Sequence, residues 1–306
     1  MGDMLTLKAA TQKSKLGLLL LILLLAACSN NATSTATETL APEEMDLSPT
    51  PEQPTPTPVP AAAAVNGEII SLAWFENEVS RYILAQESIG APTEDEAEAQ
   101  EIVLNDLIDQ VLLAQGAREG GATVSDQDVQ ARIDTLAEEY DLNTWMAEWG
   151  YTEAELFNSL KLQMLAAIQR DWIAESISET SEQVKLQQIF TYTEADAQTA
   201  LISLNSGTSF AELAFSYIYD PITGGHLGWV PRGYLLDPKV EEAAFSLPIG
   251  SYSEIIETEV GFHIILVLDR EEHTLSNDAL LTLQRKALYT WLDKRRENST
   301  IEVSVD

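Results

Sequence analysis

The sequence predicts an α+β chain: a mostly helical part, then a compact domain of four strands and three helices. Three observations predict it. Capping-box signatures open successive amphipathic runs between Thr93 and Ile168. At Gln183 the apolar period switches from helical to strand-like. From there to residue 272 the order reads strand, two helices, strand, helix and two strands. The chain has 306 residues, 45% of them hydrophobic, enough for about two domains with cores of their own. Its 49 acidic residues outnumber 17 basic ones, for a net charge of −32. That balance excludes a nucleic-acid binder, which needs a basic face, and disfavours a basic patch for anionic lipid headgroups.

The elements follow in order. Lys8, Lys13 and Lys15 precede an apolar run from Leu16 to Ala27, too short to span a bilayer, which needs about 20 residues, but suited to a secretory signal. It ends in Leu25-Ala26-Ala27-Cys28, which resembles the lipobox of bacterial lipoproteins. Cys28, the only cysteine, is then the expected lipidation site, and residues 1–27 the signal peptide. Two acyl chains there hold a protein stably on a membrane where one is marginal, so the expected location is extracytoplasmic, anchored to a bacterial cell membrane. Residues 28–64 hold seven of the twelve prolines among Ser, Thr and Ala, and with no apolar periodicity they form a spacer with polyproline II character.

Val65 to Ile70 reads as two short extended pieces around an Asn66-Gly67 turn, with a helix after Ser71. Thr93 with Glu96, Ser125 with Asp128 and Thr152 with Glu155 mark three further helix starts. In the second helix Leu104, Leu107, Ile108, Val111 and Leu112 form the core stripe, and in the fourth Leu156, Leu160, Met164, Ala167 and Ile168. Trp145, Trp149 and Tyr151 admit two readings, an exposed aromatic patch for unfolded clients or packing between helices. Beyond Gln183, Val184–Phe190 is strand-like, Thr193–Leu204 and Phe210–Tyr217 helical, and Asp237–Phe245 helical. Ser253–Glu257 and Phe262–Leu268 are strands joined at Val260-Gly261. Ser276–Glu297 carries Leu280, Leu283, Ala287, Leu288, Trp291 and Leu292 on one helical face, and Ile301–Val305 is a candidate strand partner for Val65–Ile70.

Six blocks then stand in the order and spacing of one family. They are Phe210-Ala211-Glu212-Leu213-Ala214, Asp220-Pro221, Gly225-His226-Leu227-Gly228-Trp229, Arg232-Gly233, Glu241-Glu242-Ala243-Ala244-Phe245 and Gly261-Phe262-His263-Ile264-Ile265. Together they resemble parvulin-type peptidyl-prolyl isomerases, and the flanking helical region with its Val65-Asn66-Gly67 opening resembles PrsA-like and SurA-like foldases. The resemblance implies an α+β fold: a mostly helical SurA-N-like chaperone domain over residues 65–182, an inserted parvulin-type domain over 183–272 with a small four-stranded antiparallel sheet flanked by helices, and a helix and strand over 273–306 that return to the first. It implies catalysis of X-Pro isomerisation in unfolded or partly folded secreted proteins. It implies no cofactor or metal, and it leaves the oligomeric state open.

Rotation about an X-Pro bond meets a barrier of about 18–20 kcal/mol and needs no nucleophile, only a site that favours the twisted amide. The resemblance assigns the apolar proline slot to Leu235, Leu236, Val240, Phe245 and Phe262, and the polar wall to Asp220, His263 and Gln188. Gln188 stands where parvulins usually carry a His, as an amide facing His263, and Val240 replaces a usual Phe. A shallower slot and weaker turnover follow, which keeps open a second reading: a holdase that binds unfolded clients without turnover.

Overall fold

The computed structural model describes residues 60–91, 95–217, 224–235 and 237–305. Cys28, Thr93, Asp220 and Leu236 lie outside the described residues. The chain forms two compact units, one reaching Gln169 and resuming at Arg295, the other spanning Arg170–Lys294.

In the first unit, β1 (Ala61–Val65) and β2 (Glu68–Ser71) form a hairpin. Its two-residue turn is Asn66-Gly67, with φ of 52° and 84°. Positive φ at both positions matches the right-handed twist of the strands, which is why Asn-Gly is favoured there. A strand near the C-terminus, Ile301–Val303, completes a three-stranded sheet by pairing with β1 on the side away from β2. The expected C-terminal pairing therefore falls on Ala63–Val65 and not on the second half of the hairpin. Asn66 ties the junction, its N–H reaching Thr300 O at 2.8 Å and its side-chain oxygen accepting from Thr300 N at 2.9 Å.

Five helices follow: α1 (Leu72–Ser88), α2 (Glu96–Glu119), α3 (Asp126–Glu139), α4 (Leu142–Trp149) and α5 (Glu153–Glu175). Ser71 caps α1 by accepting from Trp74 N. At α3 both halves of the Ser125/Asp128 box are made, and Thr152 and Glu155 exchange the same bonds before α5. The cap of α2 is Asp95, which accepts from Ala97 N at 2.9 Å, and not Thr93. Leu107, Ile108, Val111 and Leu112 of α2 are buried against Val65, Ile70, Phe75 and Val79, each such side chain contributing roughly 1.5–3 kcal/mol. The short α4, unanticipated in the sequence, is capped by Asp141 and stopped by Gly150 in the left-handed region. It lets Trp145 stack on Tyr151 with centroids 5.1 Å apart, so the aromatic cluster packs on itself.

The second unit holds β3 (Thr180–Thr191), α6 (Glu194–Asn205), α7 (Phe210–Tyr217), β4 (His226–Pro231), α8 (Pro238–Ser246), β5 (Ile256–Thr258), β6 (Gly261–Thr274) and the greater part of α9 (Asn277–Glu297). The strand at Ile301–Val303 is β7. The sheet runs β4-β3-β6-β5, antiparallel throughout. Period-2 alternation gives it two apolar faces. Ile189 and Ile264 meet Ala200, Leu204, Phe210 and Ala214 of α6 and α7. Val184, Leu186, Ile265 and Val267 meet Val240, Ala244 and Phe245 of α8. β6 runs six residues past the expected end at Leu268, since Asp269–Thr274 pairs with the first part of β3, where few apolar residues mark the strand. β5 is the short piece Ile256–Thr258, and upstream of it only Tyr252 bridges to Leu266.

Candidate active site

The α8 face of the sheet positions the candidate site. α8 begins where Asp237 accepts from Lys239 N at 2.8 Å and Val240 N at 3.3 Å, with Pro238 in the first turn, and it presents Val240, Ala244 and Phe245 to the sheet. Arg270 anchors its far end, donating to Phe245 O and Leu247 O at 2.9 Å each. The guanidinium of Arg232 lies 4.1 Å from the centre of the Phe245 ring, where the ring face attracts a cation. Leu235 packs half-buried against this cluster.

Register decides which predicted residues share that face. Cross-strand partners project to the same side, and residues two apart along a strand do too. His263 and Ile265 of β6 therefore belong with Ile256 of β5 and with Phe190 and Gln188 of β3, and with α8 above them. Phe262, one residue from His263 and Ile264's neighbour but one, falls on the α6/α7 face. The structure thus brings together His263, Gln188, Leu235, Val240 and Phe245 and leaves Phe262 on the other side of the sheet.

The residue opposite His263 is Phe190, not Gln188. Their rings lie 5.0 Å apart at 55°. Gln188 stands one diagonal away, opposite Ile265. Two close approaches, both made by glycine, support this row. A Cβ on Gly261 would stand 2.6 Å from Thr191 O and 2.8 Å from the Phe190 ring. A Cβ on Gly225 would meet Gln188 O at 2.4 Å, while Gly225 O accepts from Gln188 N at 2.8 Å. Real Cβ atoms do not come so near, so both glycines are required by packing as well as by positive φ.

His263 is 9% exposed. Its Nε2 lies 3.0 Å from Thr258 Oγ1, and the same hydroxyl lies 3.0 Å from Gly261 O. A hydroxyl has one proton, and a carbonyl can only accept, so the Thr258 proton goes to Gly261 O. The imidazole must then donate from Nε2, which leaves Nδ1 as an unprotonated acceptor. Nδ1 is buried and has no hydrogen-bond partner among the described residues. Burial holds the imidazole below its ordinary pKa of 6.5, opposed by the charge of Asp237, so at neutral pH the ring is uncharged. Among the described residues, the face presents apolar side chains of α8 with a neutral imidazole beside them and no activated nucleophile.

Sequence reasoning missed Phe190 as the partner of His263. Alternation from Gln188 places it on the right face, but only the register shows what it opposes. It also passed over Leu227, the extra residue where β4 bulges against Leu186 and Gln187, a position that leaves this large apolar side chain 39% exposed. His226 beside it is exposed on the edge strand.

Comparison with known proteins shows what this segment resembles. The model of the PPIC-type PPIase domain matches residues 177–269, the segment that contains the sheet, α8 and His263. Residues 177–269 are thus similar to the PpiC-type parvulins. A second family model, the SurA-like N-terminal domain, matches residues 57–165. The foldase protein PrsA of Geobacillus kaustophilus is 28% identical over 187 residues, which cover 58% of this chain and 64% of that one. PrsA of Caldanaerobacter subterraneus subsp. tengcongensis is 31% identical, with 54% and 56% covered. The chaperone SurA of Methylococcus capsulatus is 35% identical, with 36% and 28% covered. The chain spans less than two thirds of the length of each of these three relatives.

Proposed function

We propose that the chain is an extracytoplasmic foldase: a peptidyl-prolyl cis-trans isomerase and chaperone for secreted proteins, held on a cell membrane by acyl chains on Cys28. The observation that carries the reading is the row His263–Phe190 beside the slot of Leu235, Val240 and Phe245, within a segment that matches the PpiC-type model. A prolyl ring enters the slot and is held there while the amide turns. As the amide twists, conjugation is lost and charge redistributes over the imide, so polar groups beside the slot favour that state. Each tenfold of acceleration needs about 1.4 kcal/mol of preference for that twisted state. Asp220 and Gln188 complete the polar wall, Leu236 extends the slot, and the exposed Leu227 joins its rim.

In this reading residues 1–27 are the signal peptide, 28–64 the spacer, 65–182 the chaperone domain, 183–272 the isomerase, and 273–306 the returning helix and strand. The relatives support it by their names, foldase and chaperone, and a further relative is named a periplasmic chaperone. Among the described residues no helix is long and apolar enough to cross a membrane. The charge of −32 favours clients with cationic stretches. Refolding of a proline-limited client tests isomerase and chaperone together: the proline phase shortens and aggregation falls at sub-stoichiometric protein. Failure of both refutes the reading. Incorporation of a labelled fatty acid that Cys28→Ala abolishes tests the anchor.

One observation favours a second reading. His263 faces an aromatic ring where a polar partner was expected, which suits a holdase that grips prolines without turnover. Such a protein suppresses aggregation but leaves the proline phase unchanged.

A further inference from the structure

We infer that the first turns of α9 form the outer clamp of the proline slot, with Tyr234 and Asp278 as its positioning residues; the inference rests on the isomerase reading above. The residues that follow β4, Arg232–Leu235, carry Leu235 of the slot. On its inner side the Gly233 N–H donates to Glu241 Oε2 of α8 at 2.7 Å. On its outer side three contacts reach α9. The Tyr234 hydroxyl donates to Asp278 Oδ2 at 2.5 Å, and Lys286 Nζ lies 3.4 Å from Gly233 O. Gly233, at φ 84°, lies so near Leu283 that a Cβ would come within 3.1 Å of its methyl. The Tyr234 ring meanwhile packs beside Leu235 on the cluster of Val240 and Phe245. One side chain thus touches the slot with its ring and α9 with its hydroxyl. All these residues lie in one compact unit.

The consequence is not visible in the family match, which ends at residue 269, before α9 begins. The loop owes its position to a helix outside the matched domain. Without that hold, Leu235 samples positions off the slot and proline binding weakens, while the groups beside the twisting amide stay in place.

The test uses the full chain and three variants. Tyr234→Phe keeps the ring and removes the donor; Asp278→Ala removes the acceptor; Asp278→Asn keeps an acceptor oxygen. On an X-Pro peptide, Tyr234→Phe and Asp278→Ala raise KM about threefold to tenfold with kcat within about twofold, the loss expected from one hydrogen bond. Asp278→Asn stays near wild type, and Tyr234→Phe with Asp278→Ala is no worse than either alone, because both break one contact. Unchanged KM in both single variants, or losses that add, overturns the clamp. Should the wild type show no turnover, the isomerase reading fails while the clamp remains measurable. Amide exchange at Gly233–Leu235 then decides: faster exchange in Tyr234→Phe and Asp278→Ala than in wild type and Asp278→Asn supports it, and equal protection refutes it.

Discussion

Thr258→Val removes one oxygen and leaves the shape of the side chain nearly unchanged, so it isolates the polar role of the residue that holds His263. Thr258 Oγ1 accepts from Val260 N at 3.3 Å, donates to Gly261 O at 3.0 Å and meets His263 Nε2 at 3.0 Å. Of the first two partners, Val260 is exposed at the β5–β6 turn, where water can replace the hydroxyl, whereas Gly261 is buried. The imidazole has no such recourse, since the ring is 9% exposed and its other nitrogen already lacks a partner among the described residues. Leaving its N–H unpaired costs about 1–3 kcal/mol. At roughly 4 °C per kcal/mol for a unit of this size, a central value of about 2 kcal/mol lowers its Tm by about 8 °C. Differential scanning calorimetry reads the shift, and Thr258→Ser, which keeps the oxygen, serves as the control. A valine variant as stable as wild type, or a serine variant as damaged as valine, would refute the assignment of Nε2 as the donor. Nitrogen NMR of the imidazole, which separates the two tautomers directly, gives the same answer independently.

Three further outcomes follow from other parts of the molecule. Gly225→Ala forces a methyl to within 2.4 Å of Gln188 O at φ 78°, and crowding with backbone strain should cost roughly 2–4 kcal/mol in urea unfolding; a midpoint like wild type contradicts the close approach. Arg81, whose side chain is 8% exposed, pairs with Glu78 at 2.8 Å and donates to Trp149 O and Gly150 O, so Arg81→Ala leaves a carboxylate that burial already holds above its usual range with no cation and only the longer bonds from Trp74 and Tyr151 among the described residues. The expected loss is about 3–5 kcal/mol in the helical unit, and a calorimetric trace without it refutes the pairing. For His263 the folded pKa lies below 6.5, so between the two values the unfolded chain binds the extra proton and stability rises with pH. Stability should therefore fall on acidification below about pH 6.5, and His263→Phe should remove that part of the slope; a slope that survives the substitution contradicts the shift.

Much of the fold was legible because local chemistry and tertiary packing agree. The Asn66-Gly67 turn, the Ser125/Asp128 and Thr152/Glu155 boxes, the α2 stripe and the strand–helix order from 183 onwards each state their structure in neighbouring residues. What was not legible depends on register or on long-range pairing. The apolar pattern marks Ile301–Val305 as a strand but not which edge of the hairpin it joins. The polar half of β6 is held by pairing with β3 and carries little periodicity to announce itself. α4 is eight residues long, capped by an Asp141 that reads equally well as a turn residue. In the candidate site, His263 and the α8 residues Val240 and Phe245 were named from the family resemblance, and register and packing put them on one face of the sheet. The partner of His263 and the side taken by Phe262 were not legible, since a strand's two faces are told apart only once its register is known.

The most direct measurement is the cis-to-trans relaxation of a panel of X-Pro peptides in the presence of folded protein from Ser29 onward, with Asp220→Ala and His263→Ala alongside. Acceleration of relaxation that both substitutions reduce is the result predicted for an isomerase with this site. Relaxation at the uncatalysed rate, in protein shown by calorimetry to be folded, would contradict it and leave the holdase.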